Sequence, residues 1–374
     1  MFCRTSLVWK SFTLLTLFAL GAVAVACGPA STGADDAQVS ATRGNRQFIP
    51  WDGEESLALS SPFPRFIFLP LNNPGVVPVD LATHMNPEDV VAGVVVNGQP
   101  RAYPLWIFGQ FHVVNDTIND APVVLTYCEI CSGASAFKPV IERFGDLTLS
   151  FQIHGIARGT FTVYDYQTQT VWSPFTGRTL EGKLHPSRME RIPLIMEYWE
   201  TWVKRHPETD VLFQSPKFRE REHMSVVQAQ MGHEYIPQGF KDVGNMDDTR
   251  LAHNAFVFGV TNQAGDKSIA FPLDFLEEKQ EVLRYQFANE HYLLKKIGKF
   301  GVVAYRLQKD QEDKTYHQVS QDPFRVADNE GGLWDEFGKA LNETGEKRDL
   351  AAADGYFTEW YEWVSGYPES EIAN

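Results

Sequence analysis

The chain has 374 residues and a formal net charge of −15, with 43 % hydrophobic and 13 % aromatic residues. It contains no basic patch or basic helix, which argues against nucleic acid as a partner. It also lacks the nucleophile-elbow, phosphate-loop and dinucleotide-binding motifs, so those enzyme classes find no support. Abundant aromatic residues and few long amphipathic patterns predict a sheet-rich protein.

The first 26 residues have the pattern of a secretory signal peptide. Arg4 and Lys10 precede an uncharged, mostly apolar run over residues 11–26. The run ends at Ala24-Val25-Ala26-Cys27, which resembles the lipobox of bacterial lipoproteins. We therefore expect cleavage before Cys27 and lipidation of this cysteine, with the lipid anchoring the protein to a membrane of the bacterial cell envelope, facing the periplasm or the surface. The alternative is ordinary cleavage that leaves Cys27 as a free thiol.

The rest of the chain contains an internal repeat. VVAGVVVNGQPRAYPL (90–105) reappears as FVFGVTNQAGDKSIAFPL (256–273), and YWETWVKRHPETDVL (198–212) as EWYEWVSGYPESEIA (359–373). Between them, VWSPFTGRTL (171–180) reappears as LWDEFGKAL (333–341). Three landmarks in the same order predict a duplication. The predicted domain boundaries are a lipidated flexible tether at 27–47, copy one at 48–213, a connector at 214–248 and copy two at 249–374.

Local patterns predict the elements of copy one. Apolar runs and alternation indicate strands, at residues 90–96, 113–115, 123–127 and 147–153. Asn97-Gly98 is a hairpin signal, and the returning strand ends at Pro104. Ile195, Trp199, Trp202, Val203 and His206 have helical spacing and predict an amphipathic helix that Pro207 ends. The fold class predicted is a β-rich α+β protein made of two diverged copies of a mainly antiparallel β unit, each closed by a C-terminal amphipathic helix.

Cys128 and Cys131 form a Cys-x-x-Cys motif in LTYCEICSG (125–133), and copy two has no cysteine. The corresponding place in copy two lies near Ile297-Gly298, so the common fold does not require the pair. Three hypotheses follow. The pair is a redox-active dithiol with Cys128 and Cys131 as its catalytic residues, half of a site for copper or zinc, or a disulfide in a non-catalytic interaction module.

The metal hypothesis requires further ligands. His112 and His154 are the candidates, because both lie at the edges of strands expected beside the cysteine turn. Imidazole nitrogen and thiolate sulfur together suit zinc and copper. The sequence names no protein partner and no substrate.

RAYPL (101–105), HVVNDTINDAPVVLTYCEICSGASAF (112–137) and VYDYQTQTVWSPFTGRTLEG (163–182) resemble a bacterial extracytoplasmic family of uncharacterised proteins. The hallmark of that family is Tyr-Pro-Leu, then His-x-x-Val-Asn-Asp, then Thr-Tyr-Cys-x-x-Cys. Asn115 and Asp116 match the end of its middle element, and His112 corresponds to its histidine with one residue fewer before Val114. The segment HGIARGTFTVYD (154–165) departs from the pattern, which has an asparagine–serine pair before Tyr-Asp.

The resemblance implies a strand, not a helix, after Cys131. In the motif of that family a histidine accompanies the two cysteines, and we therefore favour the metal hypothesis over the redox hypothesis. We expect the ring of His112 to point toward the Cys128–Cys131 turn. Asp116 and Asn115 are expected behind this ring, where Asp116 would fix its tautomer.

Overall fold

The computed structural model describes residues 69–214, 236–341 and 348–374. The signal peptide, Cys27, the tether and residues 48–68 of copy one lie outside the described residues, as do 215–235 of the connector. No helix in the described ranges is long and apolar enough to cross a membrane. The predicted fold class is confirmed, because the described chain is β-rich, with mainly antiparallel sheets and short helices.

Sixteen of the described strands precede residue 215. They are β1 Leu71–Asn72, β2 Val76–Pro78, β3 Val90–Val96, β4 Gln99–Pro104, β5 Val113–Ile118, β6 Ala121–Cys128, β7 Gly133–Lys138, β8 Val140–Ile141, β9 Leu147–Thr148, β10 Phe151–Ala157, β11 Thr160–Asp165, β12 Val171–Trp172, β13 Thr179–Glu181, β14 Glu190–Ile192, β15 Ile195–Tyr198 and β16 Asp210–Leu212. The later strands are β17 Phe256–Thr261, β18 Ser268–Pro272, β19 Leu283–Phe287, β20 Glu290–Ile297, β21 Gly301–Arg306, β22 Tyr316–Gln321, β23 Phe324–Asp328, β24 Leu333–Asp335, β25 Ala351–Ala352, β26 Asp354–Glu359 and β27 Glu371–Ile372.

The helices of the described ranges are short. They are α1 Leu105–Phe111, α2 Trp199–Arg205, α3 Gln238–Asp242, α4 Leu273–Glu277 and α5 Trp360–Gly366, with 3-10 turns at Val79–Leu81 and Glu142–Phe144. Helices α1 and α4 follow equivalent hairpins, and α2 and α5 each precede a short closing strand. None is long enough to be stable alone, so each depends on packing against a sheet.

The sheets repeat the same topology in the two copies. In copy one the order β15-β3-β4-β16-β2 has antiparallel β15–β3 and β3–β4 pairs and a parallel β4–β16 pair. In copy two, β26-β17-β18-β27 has the same three pairings in the same order. The β5-β6-β7-β14 part of a second sheet likewise corresponds to β19-β20-β21-β25. The repeat seen in the sequence therefore corresponds to a repeat of strand connections.

A glycine–tryptophan contact recurs at the centre of each copy. A Cβ atom on Gly93 of β3 would lie 2.2 Å from the indole ring of Trp202 in α2. A Cβ atom on Gly259 of β17 would lie 2.2 Å from the ring of Trp363 in α5. Both tryptophans are completely buried. Helices α2 and α5 therefore each pack on a sheet through a tryptophan ring that contacts a glycine of the sheet.

The two copies share one hydrophobic core. Buried Val94 and Leu125 of copy one belong to the same cluster as buried Phe258 and Leu294 of copy two. The described residues of both copies correspondingly belong to one compact unit. The copies are therefore packed together and are not separate domains on a linker.

Three details of the predicted elements differ in the structure. Ile195 lies in strand β15 and the helix begins only at Trp199, because residues 195–198 pair with β3. The alternating segment 147–153 is divided between β9 and β10, with a break at Leu149-Ser150. Helix α1 was not anticipated, since LWIFGQF is apolar on every side and has no amphipathic period.

Candidate functional site

The cysteine motif lies at the tip of the β6–β7 hairpin. Cys128 is the last residue of β6 and pairs with Gly133, the first residue of β7. Ser132 closes the turn in the left-handed region at φ 55°. A strand follows Cys131, as the family resemblance implied. No helix begins at this turn, so the thiols lack the helix N-terminus that lowers cysteine pKa values in thioredoxin-like sites.

The equivalent hairpin of copy two has no sulfur. Ile297 ends β20 and pairs with Gly301 at the start of β21, so it occupies the position of Cys128. Only three residues, 298–300, separate this pair, compared with four, 129–132, in copy one. Copy one thus carries an extra residue in its turn together with the two thiols.

Both thiols are free, buried and in contact with each other. Cys128 is 1 % exposed and Cys131 0 %, and no disulfide joins them. Burial, a hydrogen bond with Cys128 and the nearby Glu362 carboxyl raise the pKa of Cys131 well above 9.0. The Cys131 sulfur also lies 3.7 Å from Oγ1 of Thr160. Cys131 is therefore held as a neutral thiol.

Residues of copy two form hydrogen bonds with the cysteine turn. The backbone N–H of Glu359 and the hydroxyl of Thr358 both donate to the carbonyl oxygen of Cys131, each at 3.0 Å. The Ser132 hydroxyl donates to Oε1 of Glu359 at 3.0 Å. Strand β26 of copy two thus fixes the turn, and the site is formed by both copies.

Glu362 of α5 is the acidic group of this site. It is buried, and burial raises its pKa to about 8. The hydroxyl of Tyr356 donates to Oε1 at 3.4 Å, while Oε2 has no hydrogen-bond partner among the described residues. The neighbouring Tyr361 hydroxyl is also buried, with its pKa raised by burial and then by Cys131 and Cys128. A carboxyl with a pKa near 8 exchanges protons readily at neutral pH.

A second buried carboxyl lies within the motif itself. Glu129 is located between the two cysteines, and burial raises its pKa to about 7. Its Oε2 atom lies 3.0 Å from where a Cβ atom on Gly109 of α1 would be, so this glycine provides space for the carboxyl. The cysteine turn is therefore associated with two carboxyls that titrate near neutral pH, one from each copy.

A small cavity lies beside the thiols. Thr160, Tyr356 and Glu362 are among its lining residues, and its volume is about 30 Å³. This space is sufficient for a water-sized molecule. Because Thr160 lines the cavity and its hydroxyl contacts the Cys131 sulfur, the cavity adjoins the thiol site.

His112 lies close to this site but in an unusual backbone conformation. It follows helix α1 with φ 61°, in the left-handed region. Its ring packs edge-on against Phe161, with 6.0 Å between ring centroids, and Phe161 adjoins Thr160. Burial lowers the pKa of His112 to about 4, so the ring is neutral at physiological pH.

The other candidate residues have different contacts. Nδ1 of His154 forms a hydrogen bond with the Thr162 hydroxyl at 3.3 Å. The Asn115 side chain accepts from the backbone N–H of Phe151 and donates to its carbonyl, which joins β5 to β10. Across residues 69–214, 236–341 and 348–374, no three His, Cys, Asp or Glu side chains are grouped so that they could hold a metal ion.

Asp116 belongs to a separate buried network. Its Oδ2 accepts hydrogen bonds from Arg101 at 2.8 Å and from the Tyr103 hydroxyl at 2.6 Å. Arg101 also forms a bidentate pair with Asp210, with both distances 2.8 Å. A buried carboxylate requires such a cation, and Arg101 and Tyr103 both bind the carboxylate of Asp116.

Glu362 and Tyr361 were not anticipated as site residues. Both lie in EWYEWV, where Trp360 and Trp363 align with the tryptophans of α2. In the alignment of the two copies, Glu362 of copy two corresponds to Thr201 of copy one. Copy two therefore has a carboxyl between two core tryptophans where copy one has a hydroxyl. A carboxyl within a short helix that also carries two core tryptophans was the available signal.

The fold and the site define a β-rich protein with two like halves that enclose a buried dithiol. The chain belongs to DUF3179, a family described as a protein of unknown function, whose model matches residues 69–370. No curated protein and no solved structure shows significant similarity to the chain.

Proposed function

We propose that this protein is a thiol–disulfide redox protein in which Cys128 and Cys131 alternate between a dithiol and a disulfide. The observation that carries the proposal is the direct contact between two free thiols at the tip of one hairpin. The second copy makes the equivalent hairpin without sulfur, so the thiols serve something other than the fold.

The electrostatics of the site support this chemistry over a dithiolate. The groups that most affect the pKa of Cys131 are Cys128, Glu362 and Thr160, and none of them is a cation. A dithiol and a disulfide are both uncharged, so either is compatible with a buried site. A pair of thiolates with copper(I) would carry net negative charge, which is costly to bury without a cation nearby.

The oxidant is small, because the thiols are almost completely buried and a protein disulfide has no direct access to them. A hydroperoxide fits this requirement. Cys131 attacks one peroxide oxygen, an alcohol leaves, and the resulting sulfenic acid is attacked by the Cys128 thiol with release of water. Two thiols and one hydroperoxide thus give one disulfide, one alcohol and one water.

Glu362 supplies the proton transfer in this proposal. Attack requires the Cys131 thiolate, and burial disfavours that form. A carboxylate at Glu362 accepts the thiol proton, which returns to the leaving oxygen. The pKa of about 8 keeps both forms of Glu362 available near neutral pH.

The proposed location is the bacterial cell envelope. The Ala24-Val25-Ala26-Cys27 sequence supports lipidation at Cys27 and anchoring to a membrane. Disulfides persist in such oxidising compartments.

Metal binding is the second candidate function. Two cysteines at the tip of a tight β-hairpin correspond to half of a zinc knuckle, and soft thiolates also suit copper. Zinc requires four ligands, so His112 or His154 would have to move toward the sulfurs.

One experiment separates these possibilities. Tag-free protein beginning at residue 48 is titrated with hydrogen peroxide and then re-reduced with a small reductant, and its thiols are counted after denaturation at each step. Metal content is measured on the same samples. We expect a reversible loss of two thiols for each hydrogen peroxide consumed and no stoichiometric metal, and we expect Cys128→Ser to abolish the reversible step. Stoichiometric copper or zinc that Cys128→Ser removes would select metal binding, and a pair that never changes oxidation state would exclude the redox function.

A further inference from the structure

An arginine-rich cleft lies at a junction of the two copies. It has a volume of about 830 Å³ and is lined in part by strands β7, β8, β14 and β25. This volume is within the range of small-molecule sites. Its cationic lining residues are Lys138, Arg143, Arg178, Arg188 and Arg191.

The charge of this cleft is opposite to that of the whole chain. Five cations line it, against three carboxylates from Glu142, Glu190 and Asp354. The chain as a whole has a net charge of −15. A local excess of positive charge in an acidic protein attracts anions specifically to this cleft.

One wall of the cleft is preorganised around Arg191. Its guanidinium donates to Asp354 at 3.2 Å, to the Ser135 hydroxyl at 3.1 Å and to the carbonyl of Phe175. It also lies over the ring of Phe137, 4.8 Å from the centroid. Because these contacts fix the guanidinium, little side-chain entropy remains to be lost when an anion binds.

The carboxylate of Asp354 does not balance the arginines around it. Arg188 and Arg191 both pair with its Oδ1 atom, and Thr261 donates to Oδ2 at 2.7 Å. These two cations therefore share one negative charge. The arrangement leaves one positive charge uncompensated at the wall of the cleft.

Two further arginines have no carboxylate partner in the described ranges. Arg143 donates to the carbonyl of Leu184 at 2.8 Å and lies 4.8 Å from the ring centroid of Phe144. No ion pair to Arg143 or Arg178 occurs among the described residues. Guanidinium groups bind phosphate and carboxylate oxygens in a bidentate manner.

We infer that this cleft binds a small molecule carrying two or more anionic groups, phosphates or carboxylates. The cleft supplies the volume, and Arg143, Arg178 and the Arg188–Arg191 pair supply separated cationic groups around it. The inference is independent of the dithiol, because none of the cleft-lining residues belongs to the cysteine turn.

The test uses pyrophosphate and citrate as probes, titrated calorimetrically into the protein at constant ionic strength, with sodium chloride as a reference. We expect saturable binding of at least one probe. Arg143→Gln and Arg178→Gln should each weaken it about tenfold, the effect of losing one charge-assisted contact. Lys339→Gln is the matched control, because Lys339 is exposed and pairs with Asp349 outside the cleft.

Arg143 and Arg178 are chosen because neither is ion-paired in the described chain. Arg143→Gln also loses the hydrogen bond to the Leu184 carbonyl, so thermal unfolding of both variants is measured to establish that they remain folded. Absence of saturable binding for both probes would overturn the inference. Binding that the two arginine variants leave unaltered would also overturn it, since the anion would then be held elsewhere.

Discussion

The backbone N–H of Glu359 donates a hydrogen bond to the carbonyl oxygen of Cys131 at 3.0 Å. Glu359 lies where strand β26 meets helix α5, so this bond joins that part of copy two to the cysteine turn of copy one. The reverse contact also exists, because the N–H of Lys299 in the equivalent turn of copy two donates to the carboxylate of Glu197 at 3.2 Å. Each turn is therefore held by the opposite copy.

The buried carboxyl beside the thiols should make stability depend on pH. The pKa of Glu362 is raised from 4.5 to about 8, so the folded protein binds this proton more tightly than the unfolded chain. Wild-type stability contributed by Glu362 is present below pH 4.5 and is lost as pH rises toward 8. Glu362→Gln should therefore become more stable than wild type, by about 3 kcal/mol at pH 7.

Urea unfolding between pH 5 and 9 measures this difference. Glu369→Gln is the control, because Glu369 is exposed. Parallel stability curves for wild type and Glu362→Gln would show that Glu362 does not titrate in this range.

His112 should give the opposite dependence on pH. Burial lowers its pKa from 6.5 to about 4, so the unfolded chain binds the proton more tightly. Its contribution is complete above pH 6.5 and is lost as pH falls toward 4. His112→Asn should flatten the acid limb of the stability curve, and asparagine tolerates the φ of 61°. The exposed His317→Asn is the control, and an acid limb unchanged in His112→Asn would contradict the prediction.

The glycine–tryptophan contacts predict matched mutational effects in the two copies. Gly93→Ala and Gly259→Ala would each place a methyl group 2.2 Å from an indole ring, so each should destabilise the protein by about 3 kcal/mol. Gly366→Ala in α5 has no atom within 4 Å of the new Cβ and should be tolerated. Thermal unfolding of the three variants is the measurement. A large effect in only one copy would show that the two contacts are not energetically equivalent.

Removing Arg101 should be costly because it leaves the buried Asp116 without its cation. Arg101→Met is expected to destabilise the fold by about 3–5 kcal/mol. Lys339→Met, at an exposed ion pair, should leave the stability nearly unchanged. Chemical unfolding measures the free energy of unfolding of both variants. A similar loss of stability in the two would contradict the assignment of a buried network.

Features encoded within short segments could be predicted from the sequence. Asn97 and Gly98 have φ of 49° and 78°, the left-handed conformations that an Asn-Gly hairpin turn requires. The strand after Cys131 followed from the motif. Helix α1 was missed because its residues LWIFGQF are fixed by burial on several sides, and such a segment has no helical period of hydrophobicity.

The composition of the site was harder to predict because it depends on contacts distant in the chain. Glu362 reaches Cys131 only through the packing of copy two on copy one. Asp116 lies in the same motif as His112, but its partner Arg101 comes from the neighbouring hairpin. His112 and Asp116 are close in the motif, but His112 ends helix α1 in a left-handed conformation whereas Asp116 lies within strand β5, so closeness in the motif does not by itself place them together in the site.

The reciprocal contacts of the two turns have the form of an isologous interface, in which the same patch of each partner meets the other. In a homodimer every substitution would appear at both patches. Joining the partners in one polypeptide removes that coupling, so the Ile297 turn is free to specialise in packing while the Cys128 turn keeps two thiols that the shared fold does not require. One gene thereby encodes a molecule that resembles a heterodimer but needs no assembly step. Each molecule contains one Cys128 turn and one Ile297 turn.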